Sequence, residues 1–145
     1  TCSIHTDDNL LVDADPDKLA RVFDNLLRNA IAYSYPGTNI DIRAFGEQKD
    51  IIITFSNQGD QIPPQKLNFI FEKFYRVDNA RQSRTGGAGL GLSIAKEIVE
   101  LHGGAIAASS SPVCTRFTVK LPRHEEAHPA AAKKWGRIAK NGGKE

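Results

Sequence analysis

The chain has 145 residues, of which 40% are hydrophobic and 25% are charged, and its formal net charge is +2. These proportions predict one soluble domain with a single core. Apolar runs stay well below the ~20 residues that a membrane-spanning helix needs, and the opening Thr1-Cys2-Ser3 is unlike a signal peptide. Because Met is missing from the start, we expect a fragment of a longer protein.

The basic charge is concentrated at the C-terminus. Six Lys or Arg and three Glu lie from Pro122 onward, which leaves the preceding body with a net charge of −1. We therefore expect no nucleic-acid partner and interpret residues 122–145 as a polar basic tail. Cys2 and Cys114 lack the spacing of a metal site, so we expect free thiols.

The first elements follow a residue pattern that is typical of helices and short strands. After an N-terminal segment, 1–9, the run Leu10–Val12 predicts a strand. Asp15 and Pro16 then have the types favoured at the N-cap and first position of a helix. The apolar residues that follow at 3.6-residue spacing predict a helix that ends near Tyr33.

The remaining elements alternate between strands and helices. Two strands joined by a short turn are predicted at Asn39–Gly46 and Asp50–Ser56, a short helix from Pro63 to about Phe71, a longer helix from about Ala88 to His102, and two last strands at Ala105–Ser109 and Arg116–Leu121. Because hairpin-connected strands dominate, the order predicts an α+β fold: a two-layer α/β sandwich with a mixed sheet packed on about three helices. The domain is expected to span residues 10–121.

A glycine-rich segment, GGAGLGLSIAK, runs from Gly86 to Lys96 directly before an apolar helical pattern. Glycines let backbone N–H groups approach a ligand, and a helix N-terminus adds unpaired donors with partial positive charge. The segment therefore predicts a polyphosphate site. It lacks the Lys of a P-loop after Gly91 and the third glycine of a dinucleotide motif at Ile94.

Asn25 and Asn29 lie four residues apart and so share one face of the first predicted helix. Amide oxygens suit Mg²⁺, which takes its other ligands from water and phosphate. Surface asparagines that make local bonds are the alternative. The glycine segment in the same chain favours the metal interpretation.

Two further segments carry polar groups near the predicted strand ends. An amide at Asn57 can accept from the exocyclic amine of adenine beside Gly59, although an ordinary turn is the alternative. Phe71 and Phe74 are interpreted as core anchors. Lys73 and Arg76 can reach phosphates if the segment after them closes over a ligand.

The order of these motifs resembles the ATP-binding catalytic domain of sensor histidine kinases. The matching segments are Asn25-x-x-x-Asn29, Asn57-x-Gly59, Phe71 to Phe74, Gly87-x-Gly89-Leu90-Gly91-Leu92 and Thr115-Arg116-Phe117, which are similar to the N, G1, F, G2 and last boxes of that family. Between the boxes the sequence is similar to sensor kinases of vancomycin resistance. The resemblance implies a Bergerat (GHKL) fold with ATP and Mg²⁺ as cofactors.

The resemblance also implies roles for individual residues. Asn29 would be the principal Mg²⁺ ligand, with Asn25 beside the metal and phosphates as the second catalytic and metal-binding residue. Tyr33 would pack on adenine, and Asn57 would read the base that Gly59 lines. The other implied nucleotide contacts are Ile62, Lys73, Arg76, Gly87, Gly89, Leu90, Gly91, Leu92 and Thr115.

Departures from the family pattern carry expectations of their own. Asn57 stands where the family usually has Asp, which predicts weaker nucleotide binding. Gln61 replaces a glycine, Ala32 replaces a frequent Lys, and Cys114 replaces a glycine of the last box. Asn25 stands where ATPases of this fold place Glu, so no carboxylate there can take a proton from an attacking water.

These features predict a protein-histidine kinase domain that phosphorylates its own dimerisation helices, from which a response regulator aspartate receives the phosphoryl group. The acceptor is expected outside this chain, because neither His5 nor His102 has the helical surroundings that an acceptor needs. The segment His124–Pro129 fits the zinc-binding H-E-x-x-H pattern and is also similar to the family's H-E-x-x-x-P phosphoacceptor box. A zinc site would need a helix and a third ligand, although Pro129 follows at once, and a phosphoacceptor would need a long helical hairpin, normally upstream of this domain. We expect a monomeric fragment, the cytoplasmic part of a membrane-anchored bacterial sensor. A docking module with weakened nucleotide binding and a stand-alone GHKL ATPase are the alternatives.

Overall fold

The computed structural model describes residues 1–7, 9–75 and 91–124. Within these ranges five strands form one mixed sheet: β1 (Cys2–Thr6), β2 (Ile40–Glu47), β3 (Asp50–Asn57), β4 (Ala105–Ser110) and β5 (Thr115–Pro122). The spatial order is β1-β2-β3-β5-β4. β1 runs parallel to β2, and every other neighbouring pair is antiparallel.

The helices of the described residues are α1 (Pro16–Tyr33), α2 (Pro64–Leu67) and α3 (Gly91–Leu101). α1 begins where its cap predicts, since Oδ1 of Asp15 accepts from the backbone N–H of Asp17 at 3.0 Å and of Lys18 at 3.2 Å. Among the helices in these ranges, none is long and apolar enough to cross a membrane.

The core lies between the sheet and the helices on one of its faces. β5 alternates buried and more exposed residues, as a strand with one covered face should. The buried residues that meet in this core include Val22, Leu26, Ile51, Ile53, Phe55, Ala95, Val99, Phe117, Val119 and Leu121. The predicted two-layer α+β sandwich with a mixed sheet is confirmed.

The N-terminal strand differs from the prediction. Residues 10–12 form no strand; Leu10 and Val12 instead pack against the core from an irregular segment, while Leu11 is exposed. β1, within the segment expected to lead into the domain, occupies the edge of the sheet. A short apolar run cannot by itself distinguish a strand from a packed loop.

The segment after β3 also differs. The helix predicted from Pro63 to Phe71 ends at Leu67, and turns follow it. Phe71 packs against the core as predicted, and its ring lies edge-on to that of Phe117 with 6.0 Å between the ring centroids. Phe74 does not, because it has a φ of 66° and is 67% exposed. Residues 88–90, where the next helix was expected to begin, lie outside the described ranges.

Candidate functional site

Asn25 and Asn29 lie one turn apart on α1 and are both half-buried. They point away from the side of the helix that carries Phe23 and Leu27, because positions two residues apart differ by about 200° around a helix. Asn25 Nδ2 donates to the backbone oxygen of Gly91, the first described residue of α3, at 3.1 Å. That bond fixes the amide and leaves Oδ1 as an acceptor.

Asn29 has a different environment. Within residues 1–7, 9–75 and 91–124, no hydrogen-bond partner of its side-chain amide is found. The same ranges hold no group of three or more His, Cys, Asp or Glu that could bind a metal. A metal at this face would therefore take amide oxygens from the protein and its negative ligands from a nucleotide, a donor set that suits Mg²⁺.

Asn57 ends β3 on the covered face of the sheet and is only 4% exposed. Its side chain, too, lacks a hydrogen-bond partner in the part of the chain that the structure describes. Nδ2 lies beside Gly59, 3.2 Å from where a Cβ would be on that glycine. Buried amides are normally satisfied, so this one is a candidate contact for a ligand.

The loop after Asn57 is joined to the C-terminal end of α1. Ser34 and Gly59 form an isolated β-bridge, and the backbone N–H of Tyr35 donates to the oxygen of Gln58 at 2.7 Å. A Cβ on Gly59 would collide with the backbone oxygen of Tyr33. Only glycine lets the loop approach this closely, and the approach brings Asn57 to the end of the helix that carries Asn25 and Asn29.

Ser110 contacts two of the candidate residues and was not among those predicted from the sequence. Its Oγ accepts from the backbone N–H of Ile62 at 2.9 Å and lies 2.6 Å from Oγ1 of Thr115, which is 4% exposed. Gln61 Nε2 lies 3.5 Å from the Ser110 backbone oxygen. The signal was a hydroxyl at the end of β4, opposite Thr115 in the strand register, but register is visible only once the strands are paired.

The remaining candidate residues divide into three groups. Ile62 and Leu92 pack against the core, and Tyr33 is half-buried. Lys73 is exposed on the turn after α2, and no described contact joins it to the asparagines. Arg76, Gly87, Gly89 and Leu90 lie outside the described residues, so their roles stay predictions.

An apolar cavity of about 330 Å³ lies on the other side of α1. Its lining consists of Phe23, Asp24, Leu27, Ile42, Ala44, Ile53 and Phe55. The one charged side chain there, Asp24, is bonded to Arg28 at 2.8 Å. The cavity offers no set of polar groups to orient a nucleotide, which places the candidate site at the asparagines instead.

The sequence matches a known protein family. The family described as histidine kinase-, DNA gyrase B- and HSP90-like ATPases matches residues 14–125 of this chain. The chain belongs to this family.

The sensor protein VanS of Enterococcus faecium is 58% identical over 120 residues, which cover 82% of this chain and 31% of VanS. The sensor histidine kinase WalK of Bacillus subtilis is 42% identical over 123 residues, which cover 83% of this chain and 20% of WalK. The chain therefore spans about a third or less of these relatives.

Solved structures agree on the fold. The catalytic domain of histidine kinase ThkA matches with a TM-score of 0.73 and 29% identity, covering 84% of this chain and 78% of that one. The mycobacterial sensor histidine kinase MprB matches with a TM-score of 0.70 and 28% identity, covering 85% of this chain and 83% of that one. The chain thus has the fold of the histidine kinase ATP-binding catalytic domain.

Proposed function

We propose that this site binds ATP with Mg²⁺ and presents the γ-phosphoryl group to a histidine on dimerisation helices that lie outside the chain. An aspartate of a response regulator would then receive the group. The observation that carries the proposal is the amide pair on α1, in which Asn25 is fixed by Gly91 and Asn29 keeps its oxygen available.

Two groups of residues would contact opposite ends of the nucleotide, the base and the phosphates. Asn57, Gly59 and Tyr33 would hold the base where β3 meets the end of α1. Asn29 would hold the metal, with Asn25 beside it, and a bound Mg²⁺ would neutralise charge that develops on the phosphates. The protein contributes position rather than covalent chemistry, as expected for phosphoryl transfer.

The similarity to VanS supports a narrower form of the proposal. The whole protein would be a membrane-anchored bacterial sensor of vancomycin resistance, with this domain in the cytoplasm. The chain by itself would be a monomer, since the dimerisation helices are placed outside it.

Calorimetric titration with ADP, with and without Mg²⁺, tests the site. We expect binding that weakens at least about tenfold when Mg²⁺ is removed, since the metal links the phosphates to Asn29. Asn29→Ala should abolish most of this metal dependence. Asn68→Ala, at an exposed asparagine that caps α2, is the control and should bind as the wild type does.

Two results would contradict the proposal. Binding of equal strength with and without Mg²⁺ would show that the amide pair does not act through a metal. Absence of any ADP binding, in a chain that remains folded, would favour the docking module, in which Asn57 and Gln61 have replaced the usual nucleotide-binding residues.

A further inference from the structure

We propose that Asn57 makes this site accept 6-oxopurine nucleotides, whose base is hypoxanthine or guanine, as well as adenine nucleotides. The inference rests on the proposed function, because it assumes that a purine nucleotide binds with its base at Asn57. It concerns which purine is read there.

The burial of Asn57 is the first step. At 4% exposure the side chain is almost removed from water, and no described residue satisfies its amide. An amide has a carbonyl acceptor and an NH₂ donor. Both groups therefore need partners from beyond the described residues, which a bound base can supply, whereas a carboxylate at the same position would need donors only.

The two purine edges present opposite patterns to such an amide. Adenine offers the 6-amino donor and the N1 acceptor, so Oδ1 accepts from the amine and Nδ2 donates to N1. A 6-oxopurine offers the O6 acceptor and the N1–H donor. Turning the Asn57 amide by 180° about its last side-chain bond exchanges Oδ1 and Nδ2, and both bonds form again.

The described neighbours of Asn57 leave this turn free. Gly59, beside Nδ2, has no side chain to hold one orientation. Thr115, opposite Asn57 in the register, has its hydroxyl 2.6 Å from that of Ser110. The acid of the loop, Asp60, is exposed and accepts from the Tyr35 hydroxyl at 2.7 Å. One oxygen of that carboxylate is thus already bonded, which leaves the buried amide of Asn57 as the group that we infer reads the base.

Calorimetric titration of the chain with ADP and with IDP, both in Mg²⁺, tests the inference. IDP carries the 6-oxo edge without the 2-amino group of guanine, so edge recognition is measured without added bulk. We expect the two dissociation constants to lie within about tenfold of each other. In Asn57→Asp, ADP should bind more tightly and IDP more weakly, so that the ratio changes by more than about a hundredfold.

Asn9→Asp provides the matched control. Asn9 is exposed and follows the end of β1 that pairs with Ala44, whereas Asn57 lies at the Asp41 end of the sheet. The φ of Asn9, 62°, is one that Asp also tolerates. It adds the same charge without changing the base site, so the ratio of ADP to IDP affinity should equal that of the wild type.

The outcomes separate the inference from the proposed function. ADP binding with IDP more than about tenfold weaker in the wild type overturns the inference and leaves the kinase proposal intact. If Asn57→Asp folds but has the same ratio of ADP to IDP affinity as the wild type, the inference is also overturned, because the base would then be recognised by other residues. Failure of both nucleotides to bind overturns both. The wild-type ratio alone decides if Asn57→Asp does not fold.

Discussion

The amide of Asn25 uses its two polar atoms for different purposes. Nδ2 donates to Gly91 and so joins α1 to the start of α3, while Oδ1 remains available as an acceptor. A carboxylate could not make the first bond, because both of its oxygens are acceptors and the Gly91 oxygen is one too. Asn25 thus favours a tied helix pair over a general base, which is the arrangement expected where ATP must be kept until a histidine arrives.

The lack of a base at Asn25 predicts slow ATP hydrolysis by this chain. We expect less than about one phosphate released per minute, far below the ~10 s⁻¹ that is typical of enzymes, since no carboxylate at this position takes a proton from water. A coupled phosphate assay measures the rate, and Asn29→Ala gives the background of contaminating ATPases. Turnover near one per second that disappears in Asn29→Ala would instead identify a stand-alone ATPase.

Gly59 and Gly91 are both glycines of the site, but only one has a steric reason to be so. A Cβ on Gly59 would collide with the Tyr33 backbone oxygen, whereas one on Gly91 would lie 3.9 Å from Cγ of Asn25, an ordinary contact. We expect Gly59→Ala to lower the free energy of unfolding by about 2 kcal/mol or more. Gly91→Ala should change it by less than about 1 kcal/mol.

Urea denaturation measures the free energy of unfolding of both variants, provided that the m-value stays constant. Gly91→Ala serves as the control for adding a methyl group. Equal stability of the two would mean that the Gly59 loop moves away from α1 at little cost. The close approach that positions Asn57 would then not be a feature of the folded chain.

At the scale of elements, α1 and α3 form an antiparallel pair that is bonded near both ends of α3. The second bond is made by His102, whose Nε2 accepts from the backbone N–H of Asp15 at 3.0 Å while Nδ1 lies 2.8 Å from the Ile98 oxygen. Asp15 and Asn25 are ten residues apart, and Gly91 and His102 are eleven apart. At 1.5 Å per residue these separations are about 15 and 17 Å. These matched lengths keep the two helices in register, and with them the Asn25 and Gly91 contact.

The helices were predicted well because their signals are local. Asp15 and Pro16 define the start of α1. Gly103, with a φ of 77°, lies just after the end of α3, where a glycine commonly terminates a helix. The pair Asn25 and Asn29 followed from helical spacing alone. The partners of the site residues did not: the bond to Gly91 spans 66 residues, and the link of Ser110 to Ile62 spans 48. Such contacts depend on packing that no local pattern encodes.

At the scale of the whole molecule, α1 is the crossover between two parallel strands. Parallel neighbours need a long connection, usually a helix, and β1, α1 and β2 meet that requirement. β1 was not predicted from its sequence, CSIHT, because an edge strand that buries little shows no alternation of apolar and polar residues. β1 nevertheless sets where the chain enters the helix that bears the asparagines.

The pairing of β1 can be tested with proline. The backbone oxygen of Thr1 accepts from Ile40 N–H at 2.9 Å, and Asp7 N–H donates to the Ala44 oxygen at 3.0 Å. Residues of odd number therefore direct their N–H toward β2, while those of even number direct it outward. Proline removes the N–H and is tolerated in sheets only where that group faces solvent.

We therefore expect His5→Pro to lower the free energy of unfolding by about 1–3 kcal/mol more than Ile4→Pro, because only the former removes a donor to β2. His5→Ala controls for the exposed contact of the His5 ring with Asp41 at 3.6 Å. Urea denaturation of the four chains gives the comparison. If both proline variants lose equal stability, or neither loses any, β1 is not paired with β2 in this register in solution, and the entry into α1 is set by the Asp15 cap and His102 alone.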